Sequence, residues 1–288
     1  MGKQLTVPAL RARKRAAGQD PLVMVTAYDA PGARIADEAG VDLILVGDSV
    51  AMVVLGYDDT LQVTVEDMAH HVAAVARARP RPLVVGDMPW MSYHLGEADA
   101  VTNAAALIRA GAQAVKLEGG RKRVPVVEAL VDSEIPVMGH IGLTPQSVHA
   151  MGGYRVQGRD HGAADALVED AVALADAGCF SIVLEGVPDV VAARVTAAVD
   201  VPTIGIGAGP ACDGQVLVFH DLLGLEDRVT PKFVRRYASL KAEAVAAVSA
   251  FADDVRTGRF PSDAESYHLP GEELGASPYG ASYGAASA

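Results

Sequence analysis

Four carboxylates in this chain each close a short apolar run. Asp48 follows Leu43-Ile44-Leu45-Val46-Gly47, Asp87 follows Leu83-Val84-Val85-Gly86, Glu118 follows Val115-Lys116-Leu117, and Glu185 follows Ile182-Val183-Leu184. An acid at such a place can be a plain turn former or a helix N-cap. Four of them in the same setting fit that reading poorly, because a carboxylate beside a buried run is costly unless it is paired or metal-bound. Asp48, Asp87 and Glu118 offer hard oxygen donors with no His or Cys in the set, which suits Mg2+ better than zinc. Mg2+ keeps coordination places for water or substrate, and a carboxylate beside a keto oxygen fills two of them. Charge drawn from that carbonyl acidifies the neighbouring carbon and stabilises an enolate.

Lys116 stands two residues before Glu118, so on a strand both side chains share one face. It is either a structural partner of an acid or the cationic clamp on a substrate carboxylate. Glu185, away from the metal set, is the candidate general base. His140 closes another apolar run and is placed to hydrogen-bond substrate or one of the acids. Other features carry less. Gly205-Ile206-Gly207-Ala208-Gly209 lacks the third glycine spacing and the following helix of a dinucleotide fingerprint, and reads as a turn giving a ligand room near backbone. His70 and His71 fall inside a helical pattern as surface or packing residues, and Cys179 reads as core.

What must position these groups is an alternation of short and long segments. Strand candidates run over 22–26, 42–46, 82–86, 114–117, 136–139, 181–184, 202–206 and 216–219, most of them almost continuously apolar, as strands covered on both faces are. Helix candidates lie at 30–39, 64–78, 97–110, 122–132, 162–177, 188–198 and 231–257. Three helices end in Ala-Gly, at Gly40, Gly111 and Gly178, where glycine supplies the left-handed stop, and Thr64 with Asp67 resembles a capping box. Eight strands with intervening helices predict an α/β fold, a single-domain (β/α)8 TIM barrel. In such a barrel the acids at the strand ends converge on one mouth.

The length of 288 residues, half of them apolar, suits one such barrel, and a net charge of −12 argues against nucleic acid or a membrane surface as partner. Arg11, Arg13, Lys14 and Arg15 precede no apolar stretch, so they read as a solvated helix face and not as an export signal. No run approaches the ~18 apolar residues of a membrane span. Two cysteines in dissimilar settings fit a reduced, cytoplasmic protein. The barrel with its N-terminal segment is expected over 1–261, and 262–288 as a largely disordered tail, Gly-, Ala-, Ser- and Tyr-rich toward its end.

Several segments together resemble ketopantoate hydroxymethyltransferase. They are Thr26-Ala27-Tyr28-Asp29, Leu45-Val46-Gly47-Asp48-Ser49, Gly86-Asp87-Met88-Pro89, Val115 to Gly120, Gly139 to Ser147, Gly152 to Arg159, and Gly205 to Gln215 followed by His220-Asp221. They stand in the family's order and span about residues 5–265. The resemblance implies a TIM-barrel enzyme of the pantothenate pathway. It would transfer a one-carbon unit from 5,10-methylenetetrahydrofolate to 3-methyl-2-oxobutanoate, giving 2-dehydropantoate. On matching positions, Asp48 and Asp87 would ligate Mg2+ and meet the keto acid through it, with Glu118 a third ligand, directly or through water. Ser49 and Lys116 would hold the keto acid, with His140 beside it, and Glu185 would accept the proton. The folate donor and a large homo-oligomer, often a decamer, come from the resemblance alone.

Two readings compete. One is another Mg-dependent, enolate-forming lyase or mutase of the isocitrate lyase and phosphoenolpyruvate mutase type. Those lyases carry a cysteine in a Lys-Lys-Cys-Gly-His setting, which neither Cys179 nor Cys212 has. The other is a non-catalytic barrel that binds a small acid, against which the joint presence of metal ligands, clamp and base argues.

Overall fold

The apolar runs become eight parallel strands in the computed structural model of the chain, which describes residues 4–14, 20–226, 228 and 231–268. They are β1 (Leu22–Thr26), β2 (Leu43–Val46), β3 (Leu83–Asp87), β4 (Ala114–Glu118), β5 (Val137–Gly142), β6 (Ser181–Glu185), β7 (Thr203–Ile206) and β8 (Gly214–Leu217). Each pairs with the next, and β8 pairs with β1 from Leu22↔Gly214 to Val25↔Leu217. The sheet is thus a closed barrel with no free edge, the (β/α)8 fold expected. Its helices are α1 (Val7–Arg11), α2 (Ala30–Glu38), α3 (Val50–Val53), α4 (Val65–Arg77), α5 (Glu97–Ala110), α6 (Val124–Asp132), α7 (Val148–Met151), α8 (His161–Asp176), α9 (Asp189–Ala198), α10 (Phe219–Leu223) and α11 (Leu240–Arg256). The capping box forms at the start of α4, where Thr64 and Asp67 exchange bonds of 2.9 and 3.2 Å. Gly40, Gly111 and Gly178 take left-handed φ values of 76°, 116° and 104° at the helix stops.

Alternation along the strands divides the core in two. Leu43 and Leu45 of β2 join an apolar cluster inside the barrel, while Ile44 and Val46 join the larger cluster beneath the helices. The same two-residue step on β3 carries the inward face from Leu83 and Val85 to Asp87. On β4 it runs from Ala114 to Lys116 and Glu118, on β5 from Met138 to His140, and on β6 from Val183 to Glu185. The interior therefore turns from hydrocarbon to charge toward the C-terminal ends of the strands. At the opposite end Leu10 of α1, fully buried, joins the inner cluster.

Three expectations change. Arg13 and Lys14 are not a solvated helix face. They lie past the end of α1, Arg13 2.8 Å from Asp42 and Lys14 2.9 Å from Asp213, and Lys14 also donates to the carbonyls of Thr196 and Val201. Buried Asp213, bonded by Thr203 as well, needs that cation. Strand eight occupies 214–217 and not 216–219, because the Phe219 N–H leaves the ladder to donate to Thr26 Oγ1 at 2.9 Å. The last helix begins at Leu240 and not near 231. Before it, the Tyr237 N–H donates to the Leu222 carbonyl and Arg236 to the Glu226 carbonyl, contacts a continuous helix would break. By internal contacts the chain divides into Met1–Ala238, which holds the whole barrel, and Ser239–Ala288. Within the second unit α11 has no buried residue, and Phe251 packs on Phe260 at 5.2 Å. The expected disorder beyond Pro270 lies outside the described residues.

Candidate active site

The inward charged residues meet at the mouth. Strand register sets Asp87 opposite Lys116 and Glu118 opposite His140. Lys116 Nζ lies 2.7 Å from Asp87 Oδ1 and 3.4 Å from His140 Nδ1. The His140 ring spans two acids, its Nδ1 3.4 Å from Glu118 Oε1 and its Nε2 3.4 Å from Glu185 Oε2. Asp48 sits two residues beyond β2, where its N–H donates to Asp87 Oδ2 at 3.3 Å. Ser49 follows, its hydroxyl 2.9 Å from the Tyr28 hydroxyl. The structure therefore gathers Asp48, Asp87, Lys116, Glu118, His140 and Glu185 into one connected cluster, with Ser49 at its margin. Lys116 is paired with an acid, as one of its two readings required.

The charges in this cluster do not balance. Three buried carboxylates raise the affinity of Lys116 for its proton, with Asp87 the nearest, and outweigh the cost of burying its charge. Burial and the Lys116 charge oppose protonation of His140, yet its bonds to Glu118 and Glu185 raise it to about 9. Burial alone would raise Glu118, but bonding to His140, the Lys116 charge and the Gln146 N–H hold it below the usual range. Two bases, Lys116 and His140, thus face four acids, an excess of acids over bases. Asp48 bears that excess: burial first, then the charges of Asp87 and Glu118, push it well above the ordinary carboxylate range. A divalent cation with a taste for oxygen has the missing charge and suits the donors. As the side chains stand, no group of three or more His, Cys, Asp and Glu residues among the described residues is arranged to hold an ion. Asp87 faces Lys116, Glu118 faces His140, and Asp48 faces Gln146.

Gln146 and Tyr93 are the members that sequence reasoning passed over. Gln146 donates its side-chain amide to Asp48 Oδ2 at 2.9 Å and to the Met88 carbonyl at 3.0 Å, and its backbone N–H to Glu118 Oε2 at 3.1 Å. Tyr93 donates to Gln146 Oε1 at 2.5 Å and accepts from the Glu118 N–H. The only sequence signal was a polar amide soon after a strand end, inside a resembling segment. In the glycine turn after β7 the glycines make room for neighbouring protein side chains. A Cβ at Gly207 would stand 2.7 Å from the Phe233 ring, and one at Gly209 2.5 Å from Asp189 Cβ, so protein fills the space. His70 is exposed and His71 bonds the Tyr28 carbonyl at 2.8 Å, both away from the acids. Cys179 is fully buried, and burial pushes its thiol up to about 12.

A model of the ketopantoate hydroxymethyltransferase family matches residues 4–263. A 3-methyl-2-oxobutanoate hydroxymethyltransferase of Methylobacterium sp. is 60% identical over 265 residues, covering 92% of this chain and 91% of the relative. The protein of that name from Oleidesulfovibrio alaskensis is 56% identical over 272 residues, 94% and 93% of the two chains. Among solved structures, 2,3-dimethylmalate lyase, a PEP mutase/isocitrate lyase superfamily member, superposes with a TM-score of 0.57 at 19% identity over 96% of this chain and 93% of that one. At that identity the last likeness is one of fold.

Proposed function

This chain belongs to the ketopantoate hydroxymethyltransferase family, and we propose how its cluster carries out hydroxymethyl transfer to 3-methyl-2-oxobutanoate. The observation that carries the reading is the gathering of Asp48, Asp87, Glu118 and Glu185 at one barrel mouth against only two bases, Lys116 and His140. Asp48 and Asp87 hold Mg2+, with Glu118 as a third ligand or its hydrogen-bond partner through water. The bound ion supplies the positive charge that makes the carbon next to the keto group acidic. Lys116, fixed by Asp87, and Ser49, fixed by Tyr28, orient the keto acid, and His140 holds Glu185 toward it. Glu185 takes the C3 proton. The carbanion at C3 bonds to the methylene carbon of 5,10-methylenetetrahydrofolate, both C–N bonds to that carbon break, and one water supplies the hydroxyl. The C3 proton and the second proton of that water end on the two folate nitrogens, so that 2-dehydropantoate and tetrahydrofolate result.

The enzyme works in the cytoplasm, where its two buried thiols stay free, on small molecules and without nucleic acid. Among the described residues no helix is long and apolar enough to cross a membrane. It assembles as a homo-oligomer, a decamer on the family pattern. Val245, Val248, Phe251 and Val255 give α11 an exposed apolar stripe that fits a subunit contact, and light scattering of the intact chain reads the size.

The test is proton exchange. With Mg2+ and keto acid in D2O, wild-type enzyme supplied with the folate donor incorporates no deuterium unless C3 is deprotonated. Glu185→Gln keeps the shape and loses the base, so exchange and turnover should fall by about 10²–10⁴-fold while keto acid still binds. A Glu185→Gln enzyme that turns over near the wild-type rate overturns the role. Chelation that leaves keto-acid binding unchanged overturns the metal assignment.

A further inference from the structure

Three consecutive cations, Arg121, Lys122 and Arg123, follow Glu118 after two glycines. Arg121 is spent on Asp170 at 3.0 Å and on Glu169. The other two have no acidic partner among the described residues. Lys122 is exposed. Arg123 donates to the Glu118 carbonyl at 3.3 Å and lies 5.0 Å over the Tyr93 ring. Both side chains lie back over Gly119, whose φ is 118°. A Cβ there would stand 3.0 Å from Arg123 Cγ and 3.2 Å from Lys122 Cε. The bare backbone thus seats two free cations against the residue directly after a site carboxylate. His94, packed 4.3 Å from Tyr93, feels the same field. Burial first, then the Arg123 and Lys122 charges, lower it to about 4, so it is neutral at pH 7 and its buried Nδ1 has no hydrogen-bond partner.

A chain of net charge −12 with an acidic site repels an anionic co-substrate at long range. Lys116 cannot serve that co-substrate, because Asp87 holds it inside the barrel. We propose that Lys122 and Arg123, beside the neutral ring of His94, form a rim subsite for the glutamate carboxylates of the folate donor. The subsite rests on the folate reading above. It places the carboxylate end of the donor at the rim and leaves its one-carbon end to face Glu118, Asp48 and Glu185. Recognition is of a dicarboxylate by two paired cations, with Arg123 preorganised by Tyr93.

Trp90, the only tryptophan of the chain, lies three residues before Tyr93 in the same loop and is half-exposed, which gives a fluorescence readout of binding without turnover. Holoenzyme saturated with Mg2+ and 3-methyl-2-oxobutanoate is titrated with tetrahydrofolate, which carries no one-carbon unit and so cannot turn over, and with tetrahydropteroate, which lacks the glutamate. Wild type should bind tetrahydrofolate more tightly by about fivefold, from two partly exposed ion pairs. Lys122→Glu, at an exposed position with no side-chain bond to lose, should erase that preference and leave tetrahydropteroate binding unchanged. Arg123→Gln should reduce it, and the preference should shrink as salt rises. Equal binding of the two ligands by wild type, or a preference that survives Lys122→Glu, overturns the subsite and leaves the folate donor standing. If wild type binds neither ligand, the folate reading fails and the subsite falls with it.

Discussion

Asp48 and Glu118 come from different strands and share one neighbour, Gln146, which lies 98 residues from the first and 28 from the second. A carboxylate free to rotate must be ordered each time it takes up a ligand, and a side chain that orders it beforehand removes that cost. Gln146 does so for Asp48 through its amide and for Glu118 through its backbone, with Tyr93 fixing which way the amide points. Gln146→Leu should therefore weaken Mg2+ binding and turnover by about 10–100-fold, read by calorimetric titration of Mg2+ and by rate. The backbone bond survives the change, so Glu118 should remain ordered. An unchanged Mg2+ affinity would remove Gln146 from the positioning of Asp48. The acids and Lys116 were legible in the sequence, because a charge after an apolar run stands out against its neighbours. Gln146 was not, since an amide in a turn is unremarkable until its two distant partners are known.

At the scale of elements, period-two patterning predicted which strand residues point inward and hence that Lys116 and Glu118 share a face. The elements that went astray are those whose limits are set by tertiary bonds. Phe219 looks like strand and instead opens α10, because Thr26 Oγ1 takes its N–H. The stretch before α11 looks helical, yet the Tyr237 N–H is held by the Leu222 carbonyl and the Arg236 side chain by the Glu226 carbonyl. The basic N-terminal run looked solvated, yet Lys14 reaches across to Asp213, whose side chain is 1% exposed. Lys14→Met should take one cation from that buried carboxylate and leave its Thr203 bonds in place. Removing one partner of a mostly buried pair, here with a quarter-exposed lysine, should cost about 2 kcal/mol, a fall of about 4–8 °C in Tm, measured by scanning calorimetry. A Tm within about 1 °C of wild type would show that the Lys14 bridge carries no stability. Turnover per folded molecule should stay the same, since the bridge sits at the end of the barrel away from the acids.

The unit Met1–Ala238 holds a barrel whose interior is packed hydrocarbon at one end, sealed by Leu10, and charged at the other. The closed fold was legible because eight apolar runs alternate with helical ones. A chamber with a single door imposes a queue. The compact keto acid reaches the deep acids only while the bulky donor is absent, and whatever lies deepest departs last. Binding should thus be ordered, keto acid first and folate second, with tetrahydrofolate leaving before 2-dehydropantoate. Product inhibition reads this directly: 2-dehydropantoate should compete with 3-methyl-2-oxobutanoate for the free enzyme, whereas tetrahydrofolate should not. Competition by tetrahydrofolate against the keto acid would mean that the two substrates pass each other on the way in.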